Sequence, residues 1–250
     1  MSQVLHLAGY RFVRLDDPAS VRERLFDAAA ALDIKGTVLL ATEGINFNVA
    51  GPPAAADAWL RQLADDARLA GIDIRRSSSG QMPFQRLLVK VKAEIIRMNQ
   101  PAIAPHAERA PAVSSDTLAR WLRQRRDDEG RELALLDTRN AFEVDAGTFD
   151  GAIHWRLGRF SEFPQAVARH AHALRGRTVV SFCTGGIRCE KAALVLREAG
   201  LRAWQLEGGI LRYFEDTRGA APGWRGSCVV FDDRGRLDPH LRPVPSAATS

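Results

Sequence analysis

The chain has 250 residues, 46% hydrophobic, 26% charged and 7% aromatic, with a formal net charge of +5 at pH 7 carried mainly by arginine. That composition excludes a disordered chain, a collagen and a disulfide-stapled mini-domain, and the length suits two domains of about 100–200 residues each. The mild positive excess permits a phosphate-rich partner without requiring one, because a solvated arginine-rich surface accounts for it as simply.

Tyr10–Leu15 reads as a short apolar strand. Asp17 and Pro18 supply an N-cap and a first-turn proline ahead of Val21, Leu25, Ala28 and Leu32, which recur on one helix face, and Gly36 closes that helix. Strands follow at Thr37–Ala41 and Ile45–Ala50 around the turn Glu43-Gly44. A helix after Pro52-Pro53 turns Trp59, Leu60, Leu63 and Ala67 inward and ends at Gly71, and Ile72–Arg76 and Arg86–Val91 are further strands. The order over residues 1–99 is a βαββαβ, ferredoxin-like plan. In its last strand Arg86, Leu88 and Lys90 share one face, continued by Lys92, while Leu87, Val89 and Val91 share the other. A basic face of this kind suits a phosphate backbone, and it equally suits plain solvation. Phe47 and Phe84 have the same two readings, base stacking or core.

Residues 100–113 carry prolines and no periodicity and read as a linker. Ser114 or Ser115 then caps a helix with Leu118, Trp121 and Leu122 on its apolar face. Leu133–Asp137, Gly151–His154, Thr178–Phe182 and Ala203–Leu206 read as strands, alternating with helices that begin at Phe160, Glu190 and Ile210. Residues 114–218 are therefore expected to form an α/β domain on a mainly parallel sheet. Residues 219–250 read as an irregular tail, loose from Pro239 onward.

The stretch Thr178–Lys191 carries the chemistry. A β-branched strand delivers Cys183 to its carboxyl end, where parallel sheets bind ligands, and Thr184, Gly185, Gly186, Ile187 and Arg188 lead into a helix. The glycines let backbone N–H groups turn inward, the helix adds its positive end, and Arg188 adds a full charge. All three favour a thiolate at Cys183, which distinguishes it from an inert cysteine at a strand end. Cysteine phosphatases place five residues between Cys and Arg; the four here make a tighter cradle, suited to a sulfur atom carried on the cysteine. Two roles are open to Cys189, a thiol that resolves an oxidised Cys183 or a small packed residue. Cys228 reads as structural, and the spacings of the cysteines and of His170 and His172 give no metal site.

The loop, with Asp137, Arg139, Glu143, Gly147 and Gly151-Ala152-Ile153 before it and Leu206-Glu207-Gly208-Gly209-Ile210 after it, resembles a rhodanese domain, whose loop cysteine carries a persulfide. The resemblance extends further. Ala41–Asn46, Pro83–Ile95, Asp137–Asn140, Phe163-Pro164, Cys183–Lys191 and Val230–Arg234 are similar, in order, to the bacterial rhodanese-containing tRNA uridine-34 hydroxylases. The sequence departs from that family at Phe47-Asn48, where Gly-Thr is expected, and at Val229, where Phe is expected. Many members also continue into a cysteine-bearing tail beyond the position of Ser250.

The resemblance implies an N-terminal acylphosphatase-like module presenting RNA to a C-terminal rhodanese-like module. The reaction it implies is oxygen-dependent formation of 5-hydroxyuridine in tRNA, with Cys183 catalytic and molecular oxygen as co-substrate. Asp137, Arg139 and Glu143 are then expected to support the loop rather than react, with Arg86, Lys90 and Lys92 touching RNA. The residues themselves point to no bound cofactor and no metal. The expected partners are tRNA and a small-molecule oxidant, with no obligate protein partner evident. No apolar run suits a membrane helix, no secretory signal is visible and the cysteines are few, so the expected location is the cytoplasm. A rhodanese-type sulfurtransferase is the alternative enzyme, and an RNA-binding adaptor with a vestigial rhodanese domain the alternative non-enzyme.

Overall fold

Strand β1 (Val4–Phe12) begins six residues earlier than its apolar stretch suggests. Pairing decides it: β1 hydrogen-bonds over Leu5–Phe12 to β3 (Gly44–Gly51) and over Val4–Gly9 to β4 (Ile74–Ser79). Between them come α1 (Pro18–Ala31), β2 (Lys35–Ala41) and α2 (Pro53–Ala64), and β5 (Leu87–Val91) ends the series. The sheet order is β4-β1-β3-β2-β5, antiparallel except that β5 runs parallel to β2 at the edge. This is the expected βαββαβ arrangement with one added strand. The structure is a computed structural model that describes residues 3–244, and the chain divides into two units, Met1–Arg97 and Met98–Ser250.

One core serves the first unit. Leu7, Val38, Ile45, Phe47 and Val49 from the sheet meet Val21 and Leu25 of α1 and Trp59 and Leu63 of α2. Phe47 is a core residue, edge-on to Trp59 with ring centroids 5.2 Å apart, so it is not available to stack on a base. Gly9 makes room for it, since a Cβ there would lie 2.8 Å from the Phe47 ring. Helix α1 stops at Ala31, and Gly36 lies inside β2 at φ +127, where a side chain would run into the backbone of Asn48 and Val49. Ala29, not Ala28, is the buried alanine of α1, and the Asp17 carboxylate pairs with Arg68 in place of capping the helix. Helix α2 ends at Ala64, before Ala67 and Gly71.

The second unit opens with β6 (Ala112–Val113), α3 (Ser115–Gln124), β7 (Leu133–Asp137), α4 (Ala141–Ala146), β8 (Gly147–Phe149) and β9 (Ile153–His154). It continues through a 3-10 turn at Phe160–Glu162, α5 (Phe163–His170), β10 (Thr178–Phe182), α6 (Ile187–Glu198), β11 (Arg202–Leu206) and α7 (Gly209–Asp216). The strands β12 (Trp224–Gly226), β13 (Cys228–Val229) and β14 (Arg236–Leu237) complete it. The main sheet, β6-β11-β10-β7-β9, is parallel throughout. Every residue of β10 is buried, as a central parallel strand requires. Ser114 is the cap of α3, accepting from Thr117 N at 3.3 Å.

Two expectations need correction. Residues 100–113 are not a plain linker: Ile103 and Ala110 are buried, Arg109 pairs with Glu190 at 2.8 Å, and β6 joins the sheet beside β11. Residues 219–244 are not irregular either. β12 pairs with β8, β13 with β14, and Ala221, Cys228, Val230 and Leu237 enter the core of the second unit. Strands of two or three residues leave no periodicity to read. The rest of the expected tail, residues 245–250, lies outside the described residues.

Candidate active site

Strand β10 ends at Phe182, in register with Asp137 at the end of β7, and the next residue, Cys183, is 1% exposed. Gly186 then takes φ 94 as the N-cap of α6, a left-handed conformation that glycine adopts without strain. That turn aims the Gly186 amide at the Cys183 sulfur, 3.2 Å away, and sets the positive end of α6 behind it. The loop carbonyls point the other way: Ile210 N donates to Cys183 O at 2.9 Å and Leu211 N to Thr184 O at 3.1 Å. Gly209, at φ +68, makes this docking possible. A Cβ there would fall 2.7 Å from Gly186 N and 2.8 Å from Thr184 O. Gly185 borders open space.

Arg188 is buried, and both of its terminal nitrogens donate to Glu143, each at 2.7 Å. Its pKa rises because Glu143, and then the Cys183 thiolate, outweigh the cost of burial. Glu143 is fully buried; burial pushes its carboxyl up, but Arg188 and the Asn140 amide hold it below the usual range. Glu143 Oε2 also accepts from the Asn140 amide at 3.0 Å, which ties down the start of α4. The hydroxyl of Thr184 lies 3.4 Å from both Glu143 Oε1 and Val229 O.

The three thiols differ sharply. Burial raises the Cys183 thiol, but the neighbouring Cys189 thiol, the Arg188 charge and the Arg188 and Cys189 amides reverse this, bringing it down to about 6 from 9.0. Cys189 is displaced upward, by burial and then by the neighbouring Cys183. Its sulfur lies 3.8 Å from Thr138 Oγ1, which in turn donates to Phe182 O at 3.0 Å. Cys228 is pushed up to about 12 by burial. Cys183 and Cys189 thus perturb each other's acidity, while the contact that holds the Cys189 sulfur is the one to Thr138.

Asp137 and Arg139 form a fully buried ion pair at 2.6 Å. Arg139 also donates to Gly147 O at 2.6 Å, and Thr148 Oγ1 donates to Asp137 at 2.8 Å. The pair braces the bend between α4 and β8, and Glu143 is the carboxylate that holds the loop. In the first unit, Arg86, Lys90 and Lys92 are exposed at the edge strand, Leu88 is half-buried, and Val91 is 44% exposed. Phe84 is half-buried. Glu43 and Asn46 of the Ala41–Asn46 motif bind the backbone of Ile95, at 2.7 and 3.2 Å.

This fold and site define a two-module protein with a cysteine-bearing rhodanese loop. Residues 4–95 match the UPF0176 acylphosphatase like domain, and residues 118–216 match the Rhodanese-like domain. The chain is 57% identical over 244 residues to the tRNA uridine(34) hydroxylase of Bordetella pertussis, covering 97% of this chain and 99% of that one. It is 56% identical to the protein of the same name from Bordetella avium, over 96% of this chain and 99% of that one. It is 55% identical to that of Bordetella petrii, over 99% and 98%. The chain belongs to the tRNA uridine(34) hydroxylase family. Among the described residues no helix is long and apolar enough to cross a membrane.

Proposed function

We propose that this protein hydroxylates uridine 34 of tRNA, with Cys183 as the catalytic thiol and molecular oxygen as the source of the added atom. The observation that carries the reading is the Cys183 sulfur, stabilised as a thiolate by the Gly186 amide and the Arg188 charge, in a chain nearly coextensive with relatives of that name. Arg86, Lys90 and Lys92 offer phosphate contacts to the RNA. A cytoplasmic location fits a tRNA substrate.

Electron balance supports a part for Cys189. Placing one atom of O2 on uridine leaves the other to be reduced to water, which takes two electrons and two protons. Cys183 and Cys189 release two of each on passing from dithiol to disulfide. The sum is uridine plus O2 plus two thiols, giving 5-hydroxyuridine, water and one disulfide. Cys189 is thereby the second reducing thiol, and an external thiol regenerates the pair.

The test is a single turnover of reduced protein with unmodified tRNA under labelled O2, read by nucleoside mass spectrometry. One labelled oxygen per uridine is expected, with loss of two protein thiols. Cys183→Ser abolishes the product, since its hydroxyl stays protonated at neutral pH. Cys189→Ser leaves product below one equivalent in the absence of added thiol. Unlabelled or thiolated uridine refutes the hydroxylase reading. A thiolated product would favour sulfur transfer, the chemistry the rhodanese-like loop resembles.

A further inference from the structure

Among the described residues three large apolar side chains stand exposed: Val91, Phe142 at 54% and Phe231 at 62%. The two phenylalanines stand on neighbouring parts of the second unit. Phe142 is the second residue of α4, and its neighbour Glu143 holds Arg188 and lies against the Thr184 hydroxyl. Phe231 follows β13 by two residues, and the carbonyl of Val229 in that strand faces the same hydroxyl. Helix α4 and β13 pack against each other. Both residues thus belong to elements that meet at Thr184, on the half-exposed part of the Cys183 loop.

Both are held on braced backbone. The bond from Asn140 N to Glu143 Oε2 fixes the first turn of α4. Beyond Phe231, Arg234 grips the Asp232 carboxylate at 2.8 and 2.7 Å, and Val230 N bonds Gly235 O at 2.9 Å, closing the β13–β14 hairpin. Solitary exposed apolar residues are common on protein surfaces, but two aromatics on interlocked elements beside a reactive loop are not scattered. A base that is to reach a nearly buried sulfur must leave its own stack, and aromatic faces replace the stacking it gives up.

We propose that Phe142 and Phe231 form a stacking platform that receives the target pyrimidine at the Cys183 loop. This rests on the reading that the loop acts on an RNA uridine. The platform supplies affinity for an unstacked base, and base identity is read by polar groups of the loop, because every base offers a π-face.

The experiment measures equilibrium binding of an anticodon stem-loop RNA with uracil at position 34 and of the same RNA abasic at that position. The wild-type protein is expected to prefer the uracil RNA by at least about fivefold, the lower end of what one stacked base contributes. Phe142→Ala and Phe231→Ala each shrink that preference and together remove it, leaving affinity for the abasic RNA unchanged. Phe142→Tyr and Phe231→Tyr retain it. An undiminished preference in the double alanine variant, or no preference in the wild type, overturns the proposal. Hydroxylation is assayed in parallel. Product formation with an undiminished preference in the double variant sinks the platform alone. A preference that the double variant loses, with no hydroxylated product from the wild type, sinks the hydroxylase reading and leaves the platform standing.

Discussion

Replacing Glu143 by Gln should move stability and thiol acidity in opposite senses. Glu143 is fully buried, and its two bonds to Arg188 are short and paired. Gln keeps the shape but presents an amide donor to a guanidinium that only donates, and it leaves the arginine charge buried without its counter-charge. Breaking a buried pair on one side costs about 3–5 kcal/mol, and the lower end applies where one partner keeps a little solvent contact, as Arg188 does at 7% side-chain exposure. At about 2–4 °C per kcal/mol for a unit of this size, the second unit should melt about 6–12 °C lower. Meanwhile Arg188 is no longer neutralised, so its attraction for the Cys183 thiolate grows and that pKa falls below the wild-type value of about 6. Tryptophan fluorescence isolates the relevant transition, because Trp121, Trp155, Trp204 and Trp224 lie in the second unit and only Trp59 in the first. Thiolate absorbance, with Cys183→Ser as the blank, follows the titration. A melting point within about 2 °C of wild type together with an unchanged Cys183 titration would refute the reasoning, since it would mean that the pair is screened and its charges do not reach the loop.

Cys183 alkylation should rise with pH through about 6 and level off near neutrality, while Cys228, at about 12, stays unreactive there; equal rates across the series would remove the cradle argument. The same shift links to stability. Its folded pKa lies below the ordinary 9.0, so this group's contribution is full above about 9 and is lost as pH falls towards about 6, measurable as denaturation midpoints of wild type against Cys183→Ser. Gly209→Ala puts a methyl against backbone on the Cys183 loop, and a displacement of about 1 Å there should cut turnover about a hundredfold; a variant with wild-type turnover would show that the loop has slack. Reversing charge at Arg86 and Lys90 should weaken tRNA binding and flatten its logarithmic salt slope by about 0.7–0.9 for each phosphate no longer neutralised, and an unchanged slope would place RNA elsewhere.

The parts of this protein that were legible in sequence are those where one local signal suffices. The runs Leu133–Asp137 and Thr178–Phe182 are strands to the residue, because a central parallel strand is apolar on both faces and bounded by polar turns. The reactive loop is visible for a similar reason, as glycines between a strand and a helix. What escaped depends on partners distant in sequence. Val4–Gly9 becomes strand through two neighbours, and Phe47 is placed by the space above Gly9. Glu143 could be read as a loop support from its motif, but its pairing with Arg188 could not, and the direction of the Cys189 side chain follows from where α6 begins. Asp137 and Arg139, read as loop support, spend their bonds on each other, Gly147 and Thr148.

The two residues of β6 have a consequence for how this chain can be divided. Pro111 O, Ala112 and Val113 cover the outer backbone of β11 at Gln205–Glu207, and Arg109 neutralises Glu190, whose side chain is only 6% exposed. A fragment begun at Ser114 would look complete by its helix cap, yet it would carry an uncovered strand border and lose the Arg109 bond to a nearly buried carboxylate. Such a border is a template for another chain, so that fragment should self-associate as its concentration rises, whereas one begun at Met98 brings its own cover and stays monodisperse.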